Sequence, residues 1–198
     1  MTADSNMAGP PPRTHMDYYT ALYQAALTIS SSLELDQVLQ SIVKSTTEAM
    51  QVKACGLRLL DQELGQLKLS SVYGLSENYL SKGPVEVNAS PIDGEALHGS
   101  PVIIADARTD PRFQYKEAAR AEGIVSVLCV PLEVHGKAMG VMRVYTDEPS
   151  EFREEDVQFL SVLASLAALA IENARLYENV RSSYRGVMAA LWGENAFL

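Results

Sequence analysis

Across residues 17–30 the apolar positions Tyr18, Leu22, Ala26 and Ile29 recur at spacings of four, four and three, which places them on one face of a helix. Between residues 36 and 50, Val38, Leu39, Ile42, Val43, Ala49 and Met50 again fall on one side. Asp36 stands where a side-chain oxygen would satisfy the free N–H groups of a helix start. The pattern then shortens to β-rich runs at 53–60, 66–73, 102–105, 124–134 and 137–145. Asp61-Gln62-Glu63-Leu64-Gly65 and His135-Gly136 have the composition of hairpin connections, so the sheet is expected to be mostly antiparallel. Residues 74–123 lack a sustained period, with short helices expected near 91–98 and 115–121. Structured insertions of this length commonly line a site.

The last third starts on Glu154, Glu155 and Asp156, acids suited to the positive end of a helix, and reaches the chain end without a proline. Leu160, Leu163, Ala167, Ala170, Ala174 and Tyr177, continued by Arg181, Tyr184, Met188 and Leu191, alternate at threes and fours as a heptad seam does. A second stripe holds Val162, Leu166, Leu169, Leu176 and Val180. One helix therefore has two apolar surfaces to bury, and the first stripe is read as a dimer helix whose small residues allow close approach. Packing of that seam within its own chain is the alternative.

Composition narrows the function. A 47% hydrophobic and 21% charged chain of 198 residues supports one globular domain, expected over 17–178 with a disordered lead at 1–16 and a helical extension at 179–198. A net charge of -9 without a basic patch argues against nucleic-acid partners. No apolar h-region precedes Arg13, and the longest apolar run, 162–171, falls well short of the ~20 residues of a bilayer span, so neither secretion nor a membrane is expected. Cys55 and Cys129 lie in apolar β-like runs, where buried free thiols are commoner than disulfides, which fits a reducing cytoplasm.

The local words then become specific. Residues 53–61 (KACGLRLLD), the turn Asp106-Ala-Arg-Thr-Asp110-Pro111-Arg112-Phe113, and the pair of runs beginning Gly123-Ile-Val-Ser and Gly140-Val-Met-Arg resemble those of GAF domains, in the same order. Phe152 and Ala170-Ile-Glu-Asn-Ala174-Arg-Leu-Tyr177 extend the resemblance from about Tyr19 to Tyr177. Arg153 departs from it, standing where such domains often have a Ser or Thr helix cap. The resemblance implies an α+β fold: a six-stranded antiparallel sheet, PAS-related, with terminal helices on one face and a pocket-forming lobe on the other. It also implies a sensory role, a small-molecule ligand, a homodimer and a separate output protein such as a histidine kinase. It names no cofactor.

Catalytic signatures are not found: there is no G-x-S-x-G, and His15, His98 and His135 are scattered without a nucleophile or metal-ligand spacing. Relatives that reduce free methionine sulfoxide, or attach a bilin, use lobe cysteines, and residues 74–123 contain none. The pattern of cyclic-nucleotide-binding relatives is not recognisable, and haem through His98 has only a single histidine in its favour. Lys82-Gly83-Pro84 reads as a turn rather than a phosphate cradle, and Asp110-Pro111 as a turn. The informative polar residues are Arg58 and Arg143, each inside an apolar strand. Strand alternation points Arg58 with Gly56 and Leu60, and Arg143 with Val141 and Tyr145. The strand order that the GAF resemblance implies makes the two strands neighbours with both arginines on the pocket face, where a buried guanidinium needs a carboxylate, a carbonyl or an anionic ligand. The expected wall of a site for a small anionic or polar metabolite is Arg58, Arg143, Tyr145, Ser126, Glu95 and Phe113. The alternative is an internal acid, such as Glu95 or Asp106, pairing with the arginines.

Overall fold

The fold is known from a computed structural model that describes residues 15–31 and 34–192. Two helices, α1 (His15–Ser31) and α2 (Leu35–Met50), lead into strands β1 (Ala54–Asp61) and β2 (Gln66–Tyr73). The lobe follows: α3 (Glu77–Leu80), β3 (Val85–Glu86), α4 (Pro91–Leu97), β4 (Val102–Ile104) and α5 (Lys116–Glu122). Strands β5 (Val127–Val134) and β6 (Lys137–Tyr145) then form a hairpin, and α6 (Glu154–Trp192) closes the chain. The expected lead before residue 15 and the end beyond residue 192 lie outside the described residues, as do the side chains of Ala189, Ala190, Leu191 and Trp192.

The sheet has six strands in the order β3-β2-β1-β6-β5-β4, every neighbouring pair antiparallel. Alternation splits the strand residues between two apolar layers. Cys55, Leu57, Leu128, Val130, Met142 and Val144 pack with α1, α2 and α6, whereas Ala54, Val127, Cys129, Val141 and Tyr145 pack with the lobe. The sheet is thus buried on both faces, and a polar side chain on the lobe face has little solvent to turn to. Gly140 is required where β6 meets β1, since a Cβ there would sit 2.1 Å from the Arg58 carbonyl oxygen. A register shift between Leu57 and Arg58 in the β1–β2 ladder bends the strand just before the arginine.

Several boundaries differ from the sequence reading for local reasons. Helix α2 begins at Leu35, with Glu34 in extended backbone at the cap position and Asp36 inside the first turn, so Asp36 complements the helix dipole rather than capping it. Strand β5 starts at Val127 because the Ile124 N–H is taken by the Ala119 carbonyl in closing α5 through Gly123. Strand β3 and helix α3, two and four residues long, are too short for any period to reveal. At the start of α6 the Arg153 N–H donates to Asp156 Oδ2 at 2.8 Å, so the acid three residues in supplies half of a capping box without a Ser or Thr. The Tyr18 hydroxyl donates to the other oxygen of the same carboxylate, and the Tyr18 ring stacks on Phe159 at 3.9 Å.

Helix α6 runs for 39 residues. By length and composition its stretch 154–185 would pass as a membrane span, which a count of consecutive apolar residues does not reveal; 44% of the qualifying window is buried inside this chain. Leu160, Leu163, Ala167 and Ala170, expected on a dimer seam, lie in the helix–sheet core with Phe159, Ala164, Ala168 and Ile171. Ala174 is half-buried and Tyr177 exposed. The stripe left facing outward is the second one, with Val162, Leu169, Leu176 and Val180 exposed and Leu166 half-buried. Met16, Tyr19, Tyr23 and Leu27 form an exposed stripe on α1.

Candidate functional site

Ladder register brings the two strand arginines together. Arg143 on β6 lies opposite Gly56 of β1 and Cys129 of β5, and Arg58 lies opposite Val141, so the arginines are diagonal neighbours on the lobe face. Gly56 puts no side chain between them. Arg58 and Arg143 are each 4% exposed, and Asp93, Tyr79, Phe113 and Tyr145 around them are no more exposed than that.

The acid that meets Arg143 is Asp93 of α4, fully buried and in ion-pair contact with the guanidinium. Burial opposes the charge on Arg143, yet the Asp93 carboxylate beside it leaves the guanidinium proton bound more tightly than in free arginine. The pair does not exhaust the group, for Arg143 Nε is buried without a hydrogen-bond partner. The Phe113 ring lies 5.8 Å from the same guanidinium. Arg58 makes no ion pair among the described residues. One buried acid therefore faces two buried cations.

A third basic side chain covers them. Lys82, in the turn after α3, holds its Nζ 3.0 Å from the centre of the Tyr79 ring, and Tyr79 meets Tyr145 edge-on at 6.2 Å. The Tyr79 hydroxyl is buried with no partner, and burial raises its pKa. Burial first, then the charges of Arg58 and Arg143, pushes Lys82 down to about 6. The covering segment begins at Gly74 and ends at Gly83, both with left-handed backbone, and is tied down where the Ser76 N–H donates to Glu122 Oε1 at 2.9 Å.

Other expected wall residues lie elsewhere. Glu95 is exposed on α4, because in a seven-residue helix whose Ile92 and Ala96 face inward it is Asp93 that shares their side. Ser126 is buried but committed to the backbone: its hydroxyl donates to the Ala105 carbonyl at 2.8 Å and accepts from the Ser150 N–H at 3.0 Å. Asp106 and Asp110 each pair with the arginine two residues on, Arg108 and Arg112, and accept that residue's N–H. The Arg108 side chain holds Asp106 at about 2. His98 is exposed, with Nδ1 2.6 Å from the Gly94 carbonyl. Both cysteines are free and buried, and burial raises both thiols, Cys129 to about 12. No cluster of metal-ligating side chains occurs among the described residues. On the opposite side of the molecule a groove of about 950 Å³ opens between α1, α2 and α6, lined by Ile29, Leu35, Val38, Ala170, Ala174 and Tyr177.

A model of the GAF domain matches residues 34–171. The chain is 26% identical over 170 residues to the Nif-specific regulatory protein of Herbaspirillum seropedicae, spanning 80% of this chain and 30% of that protein. It is 28% identical over 160 residues to the methyl sulfide methyltransferase-associated sensor of Methanosarcina acetivorans, spanning 78% and 16%. The chain thus corresponds to less than a third of either relative. Among solved structures, the GAF domain of a phosphoenolpyruvate-protein phosphotransferase from Coxiella burnetii superposes with a TM-score of 0.74 at 24% identity, covering 83% of this chain and 98% of that one. The free methionine-R-sulfoxide reductase of Neisseria meningitidis superposes with a TM-score of 0.69 at 20% identity, covering 86% and 98%.

Proposed function

Because this chain belongs to the GAF domain family, we propose that it is a non-enzymatic sensory and regulatory domain that holds a small anion under its lobe and reports occupancy through α6. The observation that carries this reading is the charge count beneath the lobe: Arg58 and Arg143 are buried, and among the described residues Asp93 is the only acid in contact with either. An unpaired guanidinium in a dry layer is costly, and an anionic ligand would relieve that cost.

The route to α6 is short. Strand β6 carries Arg143 on the lobe face and Met142 and Val144 on the other, where they share a core with Leu160, Leu163 and Ala167 of α6. At the end of the β5–β6 hairpin, His135 Nε2 lies 3.5 Å from Glu172 Oε2 of α6. The outward stripe of α6 is open to a second copy. Val162, Leu166, Leu169, Asn173, Leu176 and Val180 alternate at fours and threes, and an asparagine within such a seam sets register and favours a paired state. Occupancy of the lobe would shift this helix pair and act on a separate output protein, a histidine kinase or transcriptional regulator, in the cytoplasm. The buried thiols, with their protons held, disfavour thiol catalysis by this chain.

The test is a native mass spectrum of freshly purified protein beside its denatured spectrum. A dimer that loses a small mass on denaturation supports the reading, and Arg58→Met should abolish the retained mass. A monomer at micromolar concentration would remove the helix-pair output, and a retained mass that survives both Arg58→Met and Arg143→Met would remove the site.

A further inference from the structure

Deepening the anion-site reading on which it rests, we infer that Lys82 is the third cation of the site and that the site takes up a compact dianion together with one proton from solvent. The charge count leads there. Arg58 and Arg143 against Asp93 leave one positive charge, which a monoanion would already balance without Lys82. Lys82 stands near both, on the lobe segment bounded by Gly74 and Gly83, with its nitrogen over the Tyr79 ring rather than on an acid among the described residues.

The groups facing Lys82 are all accounted for by element. Arg58 comes from β1, Arg143 and Tyr145 from β6, Tyr79 from α3 and Asp93 from α4. Tyr115, whose ring centre is 5.5 Å away, and Glu122 lie at the two ends of α5. Cys129 of β5 lies below Arg143. Burial, and then the two guanidinium charges, push Lys82 down to about 6, so at neutral pH it is largely uncharged. A dianion seated between the arginines reverses the local field, and Lys82 Nζ then binds a proton drawn from the solvent; no bond to carbon or phosphorus forms or breaks. The buried Tyr79 hydroxyl and Arg143 Nε, both without partners, are two more donors available to the same oxygens.

The segment from Gly74 to Gly83 must lift for entry, since the groups beneath it are almost sealed. Lifting costs the Ser76–Glu122 contact at its outer surface and the Tyr79–Tyr145 contact beneath it. A protonated Lys82 returning onto the anion would close the segment over its ligand.

Calorimetric titration of the whole chain with sulfate, with oxalate and with formate, repeated in buffers of different ionisation enthalpy, tests this. Sulfate and oxalate do not titrate at neutral pH, so any proton taken up belongs to the protein. They also separate a tetrahedral, phosphoryl-like dianion from a planar dicarboxylate. The expected result is that one of them binds with uptake of about one proton, more tightly than formate, and with affinity falling about tenfold per pH unit above neutrality. Lys82→Met should bind that dianion without proton uptake. Binding by the unaltered protein without uptake, uptake that persists in Lys82→Met, or formate binding as tightly as either dianion overturns the role of Lys82 and leaves the anion site standing. If none of the three anions binds, the anion site itself falls. The proton count on the unaltered chain decides the matter even if Lys82→Met folds poorly.

Discussion

Asp93 and Arg143 hold each other in a layer that neither could occupy alone, and the consequence can be measured. Asp93→Asn leaves a buried guanidinium without its carboxylate and should cost about 3–5 kcal/mol in urea unfolding. The double change Asp93→Leu with Arg143→Met should recover much of that loss, and a single-variant cost below ~1 kcal/mol would mean that the charge is neutralised by something else. Lys82 makes a second prediction. Its folded-state pKa is lowered to about 6, so above that pH the unfolded chain binds a proton that the folded chain does not. Stability should therefore rise with pH from about 6 towards the ordinary lysine range, with the sign set by the greater proton number of the unfolded state. Unfolding curves in anion-poor buffers would show it as a slope present in the unaltered protein and flattened in Lys82→Met; parallel curves would refute it. A rigid period of two, combined with the strand order implied by the family resemblance, was enough to put Arg58, Arg143 and Tyr145 on one face. It could not identify Asp93, which depends on how a seven-residue helix is rotated, nor Lys82, which reaches the site from a turn.

At the scale of elements, the long pieces were legible and the short ones were not. Strands β2 and β6 begin and end where the sequence pattern places them, since each is bounded by turn residues, whereas β3 forms only because β2 offers it an edge. Helix α6 was legible as a helix, but the choice between its two apolar stripes was not: both have heptad spacing, and only the packed sheet decides which is used at home. Two substitutions probe how these elements are held. Asp156→Ala removes both the acceptor for the Arg153 N–H and the contact with Tyr18, and should cost about 1–2 kcal/mol, read as a lower urea midpoint. Gly140→Ala forces a Cβ against the Arg58 carbonyl and should separate β6 from β1 locally. A loss of more than ~2 kcal/mol is expected, with weakened anion binding, because it displaces the backbone that carries Arg58.

The whole molecule combines an acidic exterior, with a net charge of -9, and a small cationic interior under the lobe. Under the proposed anion-site reading, long-range attraction therefore does not draw anions in, and selectivity would rest on the buried groups themselves. Association of two copies is predicted to run through the outward stripe of α6, so Leu169→Asp with Leu176→Asp should yield a monomer by light scattering while the fold persists in circular dichroism. The doubly substituted chain remaining a dimer would locate the contact elsewhere. Past Ile171, the last α6 side chain buried in the sheet layer among the described residues, the helix continues 21 residues to Trp192, about 30 Å at the rise of an α-helix. In the proposed reading it acts as a lever with its fulcrum where His135 meets Glu172. A tilt of about 4° at the fulcrum, well within what repacking of a few side chains permits, displaces the far end by about 2 Å, so a movement too small to alter the core becomes large enough for a partner to register.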